Sequence, residues 1–309
     1  MGGPGRIADW IELSCLLSTD GILSKMSVID HLVDSGLLSD DPERAEEQAE
    51  LIADNGFADQ RLRARVLGDD PAYGFPFQFV EKKVLSRRSD WQERVAYLFL
   101  LLISFGQLDS GIYGGQHHTT YDEIGHLFER IVACAAAGLF RGPCEVLAPT
   151  GASKMHKLGA RVATLLKGFG LKRKAAISKV PLRAKDCGLD VLSRLEAGDG
   201  RPGSLHVLVQ CAAGANWEKK LGSPSLADWR DWVQWRGPIC KGFAVPTLFG
   251  TDGTIENASR RGEWSIFIDR VRILHGIKLS EDCGDAIIDA IRPWCERRVT
   301  YIRKSRYAD

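Results

Sequence analysis

Two apolar segments, residues 190–195 and 205–212, flank the turn-forming stretch AGDGRPGS, and this arrangement commits the middle of the chain to a β-hairpin. In the second segment Leu205, Val207, Val209 and Cys211 face one side, and His206, Leu208, Gln210 and Ala212 face the other. Same-face neighbours lie about 7 Å apart. Pairing through the turn carries Asp190 toward Gln210 at the strand ends. A carboxylate beside an amide oxygen is a site for a hard cation.

The chain has 309 residues, enough for two ordinary domains with a substantial core. Lys and Arg number 41 against 40 Asp and Glu, so no global field draws it to a polyanion, but the charge is unevenly placed. The eight cysteines form no C-x-x-C pair and no Cys/His spacing of a zinc site, and are expected to be reduced core thiols. The longest apolar run, residues 95–103, is too short for the roughly 20 residues that cross a bilayer, and the N-terminus has no apolar signal core. A cytoplasmic protein with no membrane partner is expected.

Residues 7–105 read as mainly helical, with helices at 10–17, 25–35, 42–55 and 91–105 and no strong strand alternation. Pro42 suits a first turn, and Asp41, Glu43, Glu46, Glu47 and Glu50 suit a solvated face. The Gly- and His-rich loop 108–119 marks a boundary, dividing the chain into a helical region 1–110 and a second domain 119–309. His117 and His118 are adjacent and diverge, which suits a loop better than a metal pair.

Thr120-Tyr121-Asp122-Glu123 reads as a capping box for a helix over 123–139. Further helices are expected at 153–167, 226–235 and 282–295, and strands at 243–249 and 265–274. Trp229, Trp232 and Trp235 would share one buried helix face. The whole predicts a mixed α/β fold.

Residues 198–203 match G-x-G-x-x-G as a string, but a strand follows where a dinucleotide site needs a helix, and no phosphate loop of the G-x-x-x-x-G-K-[ST] type occurs. Residues 154–185 contain ten Lys or Arg and no acid. Lys172, Arg173, Lys174, Lys179, Arg183 and Lys185 from this run are the candidate phosphate contacts, with a solvated basic face as the alternative. Residues 292–306 add six more basic residues beside Trp294 and Tyr301.

Three phrases, GHLFERIVACAAAGLF with Glu129, KDCGLDV with Asp190 and HVLVQCA with Gln210, make residues 121–274 resemble the restriction-endonuclease-like PD-(D/E)xK superfamily, especially its Mrr-like branch. In that branch a glutamine replaces the second acid, as Gln210 does. The resemblance implies a mixed-sheet nuclease core and a Mg2+ ion, with Mn2+ as substitute. It places Asp190, Gln210, the Cys211 carbonyl and Glu129 around the ion, DNA as substrate, and a role in bacterial defence beside a partner protein. Two cuts in a duplex suggest a homodimer.

The chain departs from the pattern at one position. The family places a lysine two residues after the glutamine, where this chain has Ala212. Three explanations fit: Lys220, with Lys219 as neighbour, has taken over the role; the alanine is an engineered inactivation; or the domain binds nucleic acid without cutting it. A further class, an assembly component docking through its acidic helix, predicts salt-sensitive protein association and no DNA binding.

Overall fold

A computed structural model describes residues 4–36, 38–106, 121–147, 158–174, 187–196, 204–214, 217–248, 254–262, 264–280 and 283–306. The protein is mixed α/β and divides into two compact units. The first comprises residues 1–117, 247–251 and 288–309, and the second residues 118–246 and 252–287. Residues 288–309, grouped by the sequence with the second domain, lie in the first unit. The loop 108–119 with His117 and His118, and Thr120 of the capping box, lie outside the described residues.

In the first unit α1 (Pro4–Leu17), β1 (Ile22–Ser24), α2 (Lys25–Asp34), α3 (Pro42–Leu67), β2 (Phe77–Glu81), β3 (Val84–Arg87) and α4 (Val95–Gly106) follow in order. Asp41 caps α3 by accepting the Glu43 amide, with Pro42 in the first turn. The buried stripe Ala45, Ala49, Ala53, Phe57, Gln60 and Arg63 carries the helix well past residue 55. Gly56 lets α1 approach, since a side chain there would press on Ile7 and Ile11. Glu46 and Glu47 are solvated as expected, while Glu50 and Asp54 hold Lys25 at 3.0 and 2.7 Å.

The expected absence of strands from this region is corrected by a three-stranded antiparallel sheet in the order β1–β3–β2. Strands of three to five residues contain too few alternations to stand out from long flanking helices.

Arg63 is fully buried and donates to Asp9 and Glu12, one turn apart on α1, at 2.6 Å each. Tyr97 donates to Glu12 at 2.7 Å and Ser104 to Asp9 at 2.6 Å, so this network ties α1, α3 and α4 together. Burial opposes the Arg63 charge, but Glu12 and Asp9 outweigh it and hold its pKa well above the ordinary value.

The second unit contains α5 (Tyr121–Phe140), β4 (Cys144–Val146), α6 (Leu158–Gly168), β5 (Lys172–Arg173), β6 (Val191–Leu195), β7 (Leu205–Cys211), a 3₁₀ turn (Trp217–Lys220), α7 (Leu226–Trp232), β8 (Val233–Gln234), β9 (Ile239–Ala244), α8 (Thr254–Gly262), β10 (Ile266–Ile268) and α9 (Arg270–Leu279). Its five-stranded sheet has the order β10–β9–β7–β6–β4. β4, β6 and β7 pair antiparallel, and β7, β9 and β10 pair parallel. The expected hairpin is present as β6–β7, with Val191 opposite Val209.

Both faces of β7 are covered. Leu208 joins Leu166, Phe169, Leu192 and Trp229 in one cluster, whereas Cys211, three residues on and therefore on the other face, feels the charge of Glu129 from α5. The helices α5 and α9 cross closely because residues 138 and 276 are glycines, and a side chain at either would strike main chain of the other helix.

Several boundaries differ from expectation. The strand 265–274 stops at Ile268, because the Asp269 side chain accepts the Arg272 amide at 3.1 Å and starts α9. The strand expected at 243–249 begins earlier, at Ile239. The tryptophan-bearing helix ends at Trp232, so Trp235 leaves it and donates Nε1–H to the Trp229 carbonyl at 2.9 Å. Trp229 is fully buried, and Trp232 and Trp235 pack on its cluster. The last helix, α10 (Gly284–Arg306), passes through Pro293 and outruns the expected end at 295.

The reading of all eight cysteines as reduced thiols is corrected at one pair. Cys134 and Cys283 form a disulfide with Cα atoms 5.8 Å apart. The α5–α9 crossing brings them together across 149 residues, with no local motif to announce it.

Replacing Arg63 with Met leaves Asp9 and Glu12 as uncompensated buried charges. Urea unfolding is expected to show a loss of about 3–5 kcal/mol, whereas Glu46→Gln on the solvated face leaves the midpoint unchanged.

Candidate functional site

Asp190 stands at the entry to β6, in line with the sheet. Its amide donates to the Val209 carbonyl at 3.0 Å and its carbonyl accepts the Leu147 amide at 2.8 Å. The side chain is 5% exposed, and its Oδ2 accepts the Cys211 amide at 2.6 Å together with Nε2 of Gln210. The expected meeting of Asp190 and Gln210 is therefore present.

The Cys211 peptide links the carboxylate to a cation. Its N–H points to Asp190, and its carbonyl accepts Gln210 Nε2 at 3.1 Å and Lys220 Nζ at 3.2 Å. Lys220 reaches it from the 3₁₀ turn Trp217–Lys220, where Lys219 is an exposed neighbour. Ala212 is fully buried, with its amide bonded to the Ala244 carbonyl at 2.9 Å. The ammonium near the Asp190–Gln210 pair thus comes from residue 220 and not from 212.

Glu129 approaches from α5 and is held by His126, whose Nδ1 lies 3.3 Å from its Oε2. Desolvation, then the Arg130 guanidinium, push the His126 pKa down, so the imidazole is neutral at pH 7 and donates through Nδ1–H. The Cys211 thiol is pushed well above its ordinary range by burial, then by Asp190 and Glu129, with Lys220 opposing. Two carboxylates therefore act on one point against one ammonium.

Carboxylates, an amide and a main-chain carbonyl are the hard donors that Mg2+ or Mn2+ takes. Among the described residues no three His, Cys, Asp or Glu side chains gather as a ligand set, so a cation here would draw on Gln210 and the Cys211 carbonyl besides Asp190 and Glu129. Asp190 and Glu129, which both act on the Cys211 thiol, are the acidic donors such an ion takes. Gln210 presents Nε2 to Asp190 in this structure, while its Oε1 faces Gly188.

Two contributors escaped the sequence reading. Gly188 has φ +73, and a side chain there would strike Ser223 and meet Gln210 Oε1 at 3.0 Å, so only glycine lets the turn before Asp190 lie against the amide. Lys241 of β9 is 5% exposed, and its Nζ donates to the Gly222 carbonyl at 3.1 Å and the Gly262 carbonyl at 3.0 Å, fixing the segment that follows Lys220. Gly188 lies inside the KDCGLDV phrase, but nothing in the sequence points to Lys241.

Of the candidate phosphate contacts, Lys172 and Arg173 form β5, which pairs with β8, and both are exposed. Lys174 is exposed, and its Nζ donates to the Arg230 carbonyl at 2.8 Å. Lys179, Arg183 and Lys185 lie outside the described residues. No helix among the described residues is long and apolar enough to cross a membrane. No protein-family model, curated protein or solved structure matches the chain.

Gly188→Ala is expected to push the turn away from Gln210 and Ser223. Thermal unfolding should show a destabilisation of about 1–3 kcal/mol, and the Gln210 side-chain amide resonances should shift in a heteronuclear NMR spectrum.

Proposed function

We propose that this chain is a metal-dependent DNA endonuclease of the restriction-endonuclease-like, Mrr-like type, acting on foreign DNA. The observation that carries the reading is the Cys211 peptide, with Asp190 on its N–H and Lys220 on its carbonyl. The five-stranded mixed sheet β10–β9–β7–β6–β4, entered from α5, supports a mixed-sheet nuclease core. The sheet brings an acid and an amide together at the strand ends, and α5 adds Glu129.

Asp190 and Gln210 would hold a Mg2+ ion, with the Cys211 carbonyl and Glu129 as further donors, and the ion would supply charge stabilisation to the scissile phosphate and a lowered pKa to the attacking water. Lys220, exposed and bonded through Nζ to that carbonyl, turns its ammonium to a phosphate oxygen or to the water, the task the family gives to the residue at 212. His126 orients Glu129. Lys172 and Arg173 contact the DNA backbone.

A second reading, a DNA-binding subunit that does not cut, is favoured by one observation. Gln210 Nε2 and Lys220 Nζ already satisfy the Asp190 and Cys211 oxygens without an ion.

Plasmid nicking in Mg2+ separates the two. The nuclease account expects nicking by the unaltered chain and a loss of about a hundredfold or more in Asp190→Ala and in Lys220→Ala. An inert chain that gains activity only as Ala212→Lys, or never, supports the binding subunit.

A further inference from the structure

The Cys134–Cys283 disulfide lines a cleft with a volume of ≈ 1190 Å³, bounded by α5, β4 and the start of α10. The two cysteines meet that space differently. Cys134, within α5, is 4% exposed, whereas Cys283 is partly exposed. A molecule in the cleft therefore reaches the bond from the Cys283 side.

Cys283 is also the better placed of the two to exist as a thiolate. It stands immediately before α10, and its carbonyl accepts the Ile287 amide at 3.1 Å, as the residue capping a helix does. The first-turn amides of a helix have no partner within it, and they lower the pKa of a thiol at that end. Ser280 Oγ lies 2.8 Å from Cys283 Sγ and offers a further hydrogen bond to a sulfur that has gained charge. Asp285 in the same turn is exposed, where solvent screens its charge. Cys134, enclosed in α5, suits a protonated thiol.

Cys144 lines the same cleft, but desolvation pushes its thiol up to about 12, so near neutral pH it is protonated and a poor nucleophile. Exchange in the cleft is thereby confined to the 134–283 pair. Their bond closes 149 residues, from α5 through α9, into one loop, and opening it releases that chain from a covalent tie.

We propose that Cys134–Cys283 is a reversible redox site, opened by a small thiol that enters the cleft and bonds to Cys283, and that its state sets the stability of the second unit. The incoming thiolate forms a bond to Cys283 Sγ, the Cys134–Cys283 bond breaks, and Cys134 leaves with the electron pair and takes a proton. A second thiol attacks the incoming sulfur of this mixed disulfide, which frees Cys283 as a thiol. The chain gains two electrons, and the two small thiols lose one each and leave as their own disulfide. In the reverse direction Cys134 displaces the small thiol from Cys283. This chemistry is independent of the proposed nuclease activity.

The test uses the full, folded chain equilibrated with reduced or oxidised glutathione, quenched with acid and mapped by peptide mass after alkylation. Oxidised glutathione is expected to give the Cys134–Cys283 bond, and excess reduced glutathione to open it without denaturant. Opening should lower the midpoint of thermal unfolding by roughly 10 °C, and reoxidation should restore it. The Cys134→Ser variant lacks the resolving thiol and should retain glutathione on Cys283, at least about tenfold more than Cys283→Ser retains on Cys134. In the unaltered chain the acid-trapped mixed disulfide should likewise sit on Cys283, which keeps the result independent of how the variants fold. A bond that opens only in urea, a bond that never forms in oxidised glutathione, an adduct mainly on Cys134 or an unchanged midpoint on opening overturns the proposal.

Discussion

A carboxylate that is 5% exposed survives in a protein interior only if its charge is met, and Asp190 is met by the Cys211 amide at 2.6 Å and by the Gln210 side chain. The same residue joins three strands, because its amide pairs with Val209 of β7 and its carbonyl accepts the amide of Leu147, next to β4. The hydrogen bond from Cys211 fixes the peptide whose carbonyl meets Lys220. The bond from Gln210 turns its Oε1 toward Gly188 and so demands a residue without a side chain there. The arrangement of the site follows from satisfying this one charge.

The first unit solves a similar problem with a different result. Arg63, Asp9, Glu12, Tyr97 and Ser104 satisfy one another inside a helical core, and Asp9 and Arg63 are each 1% exposed. Such a network ties helices together but offers no surface to a substrate. In the second unit the exposed Lys220 is bonded to the Cys211 carbonyl, and the partly exposed Glu129 acts on the Cys211 thiol. The proposed chemistry belongs to the second unit, and the buried charges of the first serve structural cohesion.

The mixed α/β class, the β6–β7 hairpin and the approach of Asp190 to Gln210 could be read from the sequence, because alternation and a Gly/Pro turn are local signals. The start of α9 reads as strand because Asp269-Arg270-Val271-Arg272 alternates, and only the Asp269 side chain bonded to the Arg272 amide decides for helix. The first-unit sheet was missed because its strands are short. Lys241 and the Cys134–Cys283 pair were missed for another reason. Each depends on segments far apart in sequence that meet only once the sheet and the α5–α9 crossing exist. Lys220 is singled out by the gap at Ala212, and in the fold its Nζ donates to the Cys211 carbonyl.

The account centres on a divalent cation held by Asp190 beside the Cys211 peptide. Electron paramagnetic resonance of Mn2+ titrated into the unaltered chain and into Asp190→Asn tests it most directly, since asparagine keeps the shape and an acceptor for the Cys211 amide but removes the charge. The account predicts a bound Mn2+ in the unaltered chain and affinity at least about tenfold weaker in the variant. Equal binding in both, or none in the unaltered chain, would contradict it.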